Sequence, residues 1–545
     1  SLGRLGGYYR SRRKPSRLCD CGDSLYPYSV SLSVSAIQVS ESMSSHSGRR
    51  NPRARRRRSK IVERDPIQVS PVVDQPSSSQ ELDKGSCFRF MTAEEVHSHK
   101  EESYYSLRGI SGPLEPPFDP EDWDTDDTTL AQILIRSGNI AEVLRVDETR
   151  LLPKKHSNFH GMFINAKWSP LGTYLATLEH EGVVAWGVTA KRSTLLMRYF
   201  HHLAEEADFS PGEKFLVTYK KPDTSNHSGV HFKIFEVQTG DILMGGGGGP
   251  ADASWPMIRW AGGKDDKYFA TFSKNTVSVY DTDGFASSDM KPVIVVDDDH
   301  VVDMAWSPTQ SILALIKGDG KKQSPKVVLL EIPSKVELTQ KNLLSVEECK
   351  LYWQSNGEYL AVKVDCGFQL FTIEDGGVDI LKLKNILAFA WEPNGDRFAV
   401  IHFETPKPSV SFYSVDGKLS KLSTLEAMEV DALFWSPRGK YIVLSGLKSC
   451  NGKLTFFNAD TLKTMATGEH LNATDVAWDV TGHFLSTAKI AETEYEVLDH
   501  SNTPKMWSFS GELLHCDFSQ YGFNHLWQLE WRPYGDSIDE LMRSP

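Results

Sequence analysis

A short word returns nine times in this chain, and it limits the fold more than any other feature. Each copy opens on an aromatic residue, passes through a small or polar residue and often Pro, turns at Gly, and leads into an apolar run. Trp168-Ser-Pro-Leu-Gly172 precedes Tyr174-Leu-Ala-Thr, Phe209-Ser-Pro-Gly212 precedes Phe215-Leu-Val-Thr, and Trp260-Ala-Gly-Gly263 precedes Tyr268-Phe-Ala. Further copies open at Trp306, Trp353, Trp391, Trp435 and Trp478, the last leading into Phe484-Leu-Ser-Thr, and a ninth opens at Trp531. Neighbouring copies lie 38 to 53 residues apart, with a mean of about 45. A period of roughly 40–50 residues with short strands between turns is that of a propeller blade of four strands. Pro and Gly set the tight turn between two antiparallel strands. The aromatic ahead of the turn has the size to fill the space between stacked blades. Downstream, Val183-Val-Ala-Trp186, Val277-Ser-Val-Tyr280, Val410-Ser-Phe-Tyr413 and Leu454-Thr-Phe-Phe457 alternate as third strands would.

The pattern predicts an all-β fold: a nine-bladed, WD-repeat-like β-propeller over residues 128–533. The ninth copy has room for only its first strand, and an unfinished blade would leave open edges. Two strand-like runs at 130–136 and 141–146 are therefore expected to pair with 523–531 and close the ring, with the leucines after Arg150 adding an outer strand.

Outside that span the chain changes character. Residues 1–112 are rich in Ser, Arg and Pro without sustained period, and read as a disordered leader. Residues 113–127, with Pro113, Pro116, Pro117 and Pro120 among acidic residues, read as an extended linker. Residues 534–545 form a short tail. The net charge of −12 conceals an asymmetry: residues 1–64 hold 15 Lys and Arg against 4 Asp and Glu, so a basic arm precedes an acidic body carrying −23. Its sharpest feature is Arg49, Arg50, Arg53, Arg55, Arg56, Arg57, Arg58 and Lys60. That run reads as a candidate nucleic-acid contact, as a nuclear import signal, or as a solvated arm without a specific partner.

Several function classes fall away. No stretch approaches the ~18–20 apolar residues of a membrane span, and no apolar core marks a secretory signal. Seven scattered cysteines make no disulfide framework, and Cys19 and Cys21 lack the second pair a zinc site needs. No Gly-x-Ser-x-Gly, His-Glu-x-x-His or Cys-x-x-Cys word is present. Gly245–Gly249 lacks the Lys-Ser/Thr of a phosphate loop and reads as a flexible inter-strand loop. Asp297-Asp-Asp-His300 lacks a spaced ligand loop and reads as a solvated turn. His180, His201 and His202 read as satisfied or solvated. No catalytic residue, metal site, cofactor or small-molecule substrate is expected.

The copies themselves carry a resemblance. Trp-Ser-Pro-Leu-Gly-Thr-Tyr-Leu-Ala-Thr (168–177), Cys-Lys-Leu-Tyr-Trp-Gln-Ser-Asn-Gly-Glu-Tyr-Leu-Ala-Val (349–362), Phe-Trp-Ser-Pro-Arg-Gly (434–439) and Ala-Thr-Asp-Val-Ala-Trp-Asp (473–479) are similar to the b subunit of eukaryotic translation initiation factor three, in its plant-like form. The resemblance covers about 130–533. It implies a cytoplasmic, non-enzymatic scaffold that sits against the small ribosomal subunit with other initiation factor subunits, RNA being a further candidate partner. That family carries an RNA-recognition motif before the propeller and a C-terminal helix that binds the i and g subunits; neither is found here. The family's closing Trp-Arg-Pro-Arg-Pro is Trp531-Arg-Pro-Tyr-Gly535 in this chain. The expectation is a propeller core without two docking arms. The alternative is a divergent, truncated paralogue that serves as an adaptor for other protein or RNA partners.

Overall fold

A computed structural model describes Arg89–Phe90 and, from residue 130 to 533, all but 138–139, 148–152, 161–163, 189–192, 222–229, 248–254, 274–275, 287–289, 298–300, 319–324, 344–348, 366, 375, 448–449, 492–502, 515–517 and 519–524. The Arg-rich run, Cys19, Cys21 and the 113–127 and 534–545 segments lie outside the described residues.

Nine antiparallel sheets follow one another along the chain. Blades 1 to 8 occupy residues 165–200, 206–247, 258–297, 301–342, 350–382, 386–425, 432–469 and 475–514. Blade 9 joins the two ends: Gln528–Trp531 is its first, innermost strand, and Leu130–Ser137, Ile140–Asp147 and Pro153–His160 are the second, third and outer strands. Ile133 pairs with Trp531 and Arg136 with Gln528, so the ring is closed by hydrogen bonds between segments nearly 400 residues apart. The outer strand of blade 9 begins at Pro153, after the two leucines that suggested it.

The core is divided among the blade interfaces. Nine clusters of buried apolar side chains each span one pair of neighbouring blades, including blades 9 and 1, where Leu134, Val143 and Phe159 meet Trp168, Leu175 and Val188. Each strand alternates its side chains between the two faces of its sheet, and both faces of a blade are covered by neighbours. This is why runs such as Phe398-Ala-Val-Ile401 are apolar throughout and wholly buried.

Up-and-down topology gives the ring two unlike faces. First-to-second and third-to-outer turns lie on one, here called the lower face. Second-to-third turns and the connections into the next blade lie on the upper face.

Gly245–Gly247 differs from the flexible loop expected of it. These glycines end the outer strand Ile242–Gly247 of blade 2. Gly245 and Gly246 pair inward with Lys233 and Phe232, and Gly246 and Gly247 pair outward with Phe90 and Arg89.

Candidate functional site

The nine aromatics close the innermost strands, and the structure shows how they are used. Trp168, Phe209, Trp306, Trp391, Trp435, Trp478 and Trp531 are buried, and Trp260 and Trp353 are half-buried. Six of the indoles donate across the blade interface to the carbonyl one residue before the preceding aromatic. Trp306 reaches Arg259 O at 2.9 Å, Trp353 reaches Ala305 O at 3.3 Å, and Trp391 reaches Tyr352 O at 2.9 Å. Trp435, Trp478 and Trp531 reach Ala390 O, Phe434 O and Ala477 O at 3.2, 3.0 and 3.2 Å. A buried donor finds its acceptor in the neighbouring blade, so each bond sets the distance between two blades as well as filling space.

The residue after each aromatic is also buried, and in several blades polar side chains at this turn staple the lower face. Ser210 donates to Asp266 of blade 3 at 2.6 Å and accepts from Phe215 N–H, while Asp266 accepts from Gly212 N–H at 2.7 Å. Glu213 of blade 2 accepts from Leu171 N–H of blade 1 at 2.7 Å. Glu392 takes two bonds from Arg397, at 2.7 and 2.5 Å, which hold the guanidinium's charge in place; Arg397 goes on to Ala459 O and Asp460 of blade 7. At the seam Arg532 donates to Gly172 O at 2.8 Å, Gln132 Oε1 at 2.8 Å and Val188 O at 2.9 Å, and covers the Trp168 ring at 4.9 Å. Gly172 (φ 75°) allows this approach, because a Cβ there would lie 1.8 Å from Pro533 O.

The first strands are the innermost of each blade, and their residues differ around the ring. One and three positions before the aromatic, blades 9, 1 and 2 carry Gln528, Glu530, Asn165, Lys167, Glu206 and Asp208, and blade 8 carries Asp475 and Ala477. The same positions in blades 6 and 7 hold Ala388, Ala390, Ala432 and Phe434. Lys167 binds Asp208 at 2.6 Å, and in the next pair of blades Arg259 binds Asp303 at 3.0 Å. Gln528 donates to Glu530 at 3.0 Å. Burial pushes the Glu530 carboxyl up to about 7; Lys167 and Gln528 oppose this, and Asp475 adds to it. Burial likewise raises Asp475 to about 6, although it keeps part of its surface in solvent.

Sequence reasoning read His201 as satisfied or solvated and passed over His470; both belong to buried networks with threonine. His470 Nδ1 meets Thr487 Oγ1 at 2.8 Å, and the same hydroxyl accepts from Trp507 at 3.0 Å. His201 meets Thr218 at 2.7 Å, and Trp186 donates to Thr177 at 3.0 Å. The threonines are the fourth residues of Tyr174-Leu-Ala-Thr, Phe215-Leu-Val-Thr and Phe484-Leu-Ser-Thr, and both histidines lie 17 residues before theirs. That spacing was the available signal. Burial, then Lys505, pulls His470 down to about 4, so it is neutral at ordinary pH and serves as a strut. His180 and His202 meet edge-on at 5.1 Å on the upper face.

Nothing among the described residues assembles a reaction centre from these parts. No group of three or more His, Cys, Asp and Glu there could hold a metal ion. Burial pushes the Cys349 thiol up to about 12, away from a nucleophile's range. The cavity between blades 1 and 2, lined by Ala166, Leu178, Val183 and Leu216 among others, has about 10 Å³ of room, enough for at most one water. No described helix is long and apolar enough to cross a membrane.

Comparison with known proteins bears on the whole ring. A family described as "Eukaryotic translation initiation factor eIF2A" matches residues 341–529. The b subunit of eukaryotic translation initiation factor 3 from Arabidopsis thaliana is 48% identical over 459 residues, covering 77% of this chain and 63% of that protein. The Nicotiana tabacum protein of the same description is 42% identical, over 76% of this chain and 62% of its own length. That of Xenopus laevis is 32% identical, over 76% and 60%. The chain thus spans less than two thirds of the length of these relatives. A solved structure titled "Crystal structure of the eukaryotic initiation factor" shares the fold, with a TM-score of 0.64 at 20% identity over 74% of this chain and 99% of that one. Along the aligned 77% of its length, the chain is similar to the b subunit of eukaryotic translation initiation factor 3.

Proposed function

We propose that this chain is a non-enzymatic scaffold component of eukaryotic translation initiation factor 3, working in the cytoplasm at the small ribosomal subunit alongside other subunits of the factor. The observation that carries this reading is the extent of the likeness: 48% identity over 77% of the chain, far more than one motif. A ring whose buried polar groups are committed to holding blades together suits a rigid platform. In this reading 128–533 is the platform, 1–112 a leader, 113–127 a linker and 534–545 a tail. The nine aromatics are blade plugs, and the Arg49–Lys60 run is a contact for RNA phosphates.

The test is sedimentation of the tagged chain through a polysome gradient, with the other subunits followed in the same fractions. Co-migration with small-subunit fractions and with those subunits is expected, and it should weaken with salt if the basic arm contributes. Sedimentation as a free protein, with none of the factor's subunits on affinity capture, would replace this reading with that of a paralogue serving other partners.

A further inference from the structure

Asn-Gly occurs three times in this chain, at 356–357, 394–395 and 451–452. Asparagine is among the chemically labile residues. Its side-chain amide carbon is an electrophile, and the backbone nitrogen of the following residue is the nucleophile tethered closest to it. Attack requires the rigid peptide plane between the two residues to swing until that nitrogen meets the carbon. Glycine opposes the swing least, having no Cβ. Hydrogen bonds to the plane oppose it, so the fold decides which of three like words can react.

The plane between Asn356 and Gly357 is held at both ends. Gly357 N–H donates to Gln354 O at 3.0 Å, and Asn356 O accepts from Thr309 of the preceding blade at 2.9 Å. The Asn356 amide oxygen is engaged as well, by Glu358 N–H at 3.2 Å. At 451–452, Gly452 is buried and its N–H donates to Gly446 O at 2.7 Å. Blade 6 differs. Neither Gly395 N–H nor Asn394 O makes a hydrogen bond of ordinary geometry among the described residues. Asn394 is exposed and Gly395 half-buried, so water reaches the plane.

The turn accounts for this. In blades 1, 5, 7 and 8 the left-handed residue of the turn is the glycine, at Gly172, Gly357, Gly439 and Gly482. In blade 6 it is Asn394, the residue before the glycine, with φ 56°. Pro393 followed by a left-handed Asn is the arrangement of a type II turn. Gly395 is nonetheless required, because a Cβ there would collide with the buried Glu392 carboxylate. Bonds to blade 5 flank the free plane: Asn394 N–H donates to Ser355 Oγ at 2.8 Å, and Gln354 Nε2 donates to Gly395 O.

We propose that Asn394 is a site of spontaneous deamidation that ages the junction between blades 5 and 6. Gly395 N forms a bond to Asn394 Cγ, the Cγ–Nδ2 bond breaks, and the amide proton leaves with Nδ2 as ammonia. Water then opens the cyclic imide at either carbonyl, giving aspartate or isoaspartate. One water enters and one ammonia leaves, with no oxidant or enzyme. Isoaspartate inserts a methylene into the backbone between the two flanking bonds, which then lose register with Ser355 and Gln354. The inference is independent of the role proposed above.

The test incubates the purified full chain at mildly alkaline pH, folded and in guanidinium, and follows the three words by peptide mapping with mass spectrometry. In the folded chain Asn394 should convert at least about fivefold faster than Asn356 or Asn451, which must first break a backbone bond worth about 1 kcal/mol, at 1.36 kcal/mol per tenfold. In guanidinium the three rates should converge. Thermal melts of the parent should fall as residue 394 converts, while Asn394→Gln loses nothing over the same interval. Asn356 or Asn451 converting as fast as Asn394 in the folded chain would overturn the proposal. The same ranking in guanidinium would also overturn it, since the fold would then play no part. A parent that converts at 394 yet keeps its melting temperature would overturn the loosening of the junction.

Discussion

In blade 6 the chain passes from the first strand to the second through Glu392-Pro-Asn-Gly395, and Arg397 at the start of the second strand binds back to Glu392 while reaching Ala459 O of blade 7. In blade 9 there is no covalent turn between first and second strands, because they come from opposite ends of the chain. A guanidinium nevertheless reaches the corresponding carbonyl of the next blade, Val188 O, at the end of its third strand. It belongs to Arg532, at the station where blade 6 has Glu392. It also takes hold of the second strand through Gln132, as no peptide bond does. The comparison teaches that a propeller needs this junction filled by a fixed donor, and that the source of the donor depends on whether backbone already joins the strands.

The comparison breaks most visibly at Arg532. Arg532→Ala removes three charge-assisted bonds and strands their buried acceptors, so denaturant unfolding should show a loss of roughly 3–5 kcal/mol. Arg532→Lys should recover little of it, since a point ammonium cannot reproduce the fork. A variant as stable as the parent would show that strand pairing alone closes the ring.

Next in size is a pH effect at Glu530 of blade 9. Glu530 has a folded pKa of about 7 against an ordinary value of 4.5, so the folded state holds the extra proton. Its contribution to stability is present below about 4.5 and is lost as pH rises through about 7, by up to about 3 kcal/mol at 1.36 kcal/mol per pH unit. Denaturation midpoints of Glu530→Gln should therefore fall less than the parent's between those limits. An unchanged pH profile would mean that water solvates the carboxylate.

Blade 6 should yield a smaller loss. Arg397→Ala leaves Glu392 buried without its partner and is expected to cost about 2 kcal/mol. Adding Glu392→Gln should return part of it, because a neutral amide tolerates burial better. Blade 9 offers no such recovery, and equal behaviour of the two sites would erase the distinction drawn here.

How far the sequence could be read follows the same division. The number of blades was legible because one word recurs at one period, and each copy carries its own turn residues. Blade-to-blade contacts were not, since Trp435 meets Ala390 O across 45 residues and Arg532 meets Gln132 across 400. No local pattern encodes such pairs. The glycines at 245–247 misled for a related reason: composition suggests a loop, and only their neighbours Phe232 and Phe90 make them a strand.

Two smaller effects sharpen the picture. Trp435→Phe forfeits the bond to Ala390 O, whereas the buried indole nitrogen of Trp168 has no hydrogen-bond partner among the described residues and its ring lies under Arg532. Melts should place Trp435→Phe below Trp168→Phe by about 1 kcal/mol, the net worth of one hydrogen bond. Smallest of all, removing residues 1–60 should leave the melting temperature where it was; a measurable drop would reveal a contact between the arm and the ring.

Closure by strands from opposite ends also sets an order of events during synthesis. The strand Leu130–Ser137 is made first and waits for a partner until residue 531 has emerged, so the last junction of the ring is its most distant in sequence and kinetically its slowest. Until then Ile133 and Ile135 stand on an unpaired edge, the kind that recruits other strands. A chain interrupted before residue 528 keeps that edge for its lifetime. Interrupted chains should accordingly form dimers and larger aggregates on sizing columns, and an added peptide spanning 525–533 should suppress them.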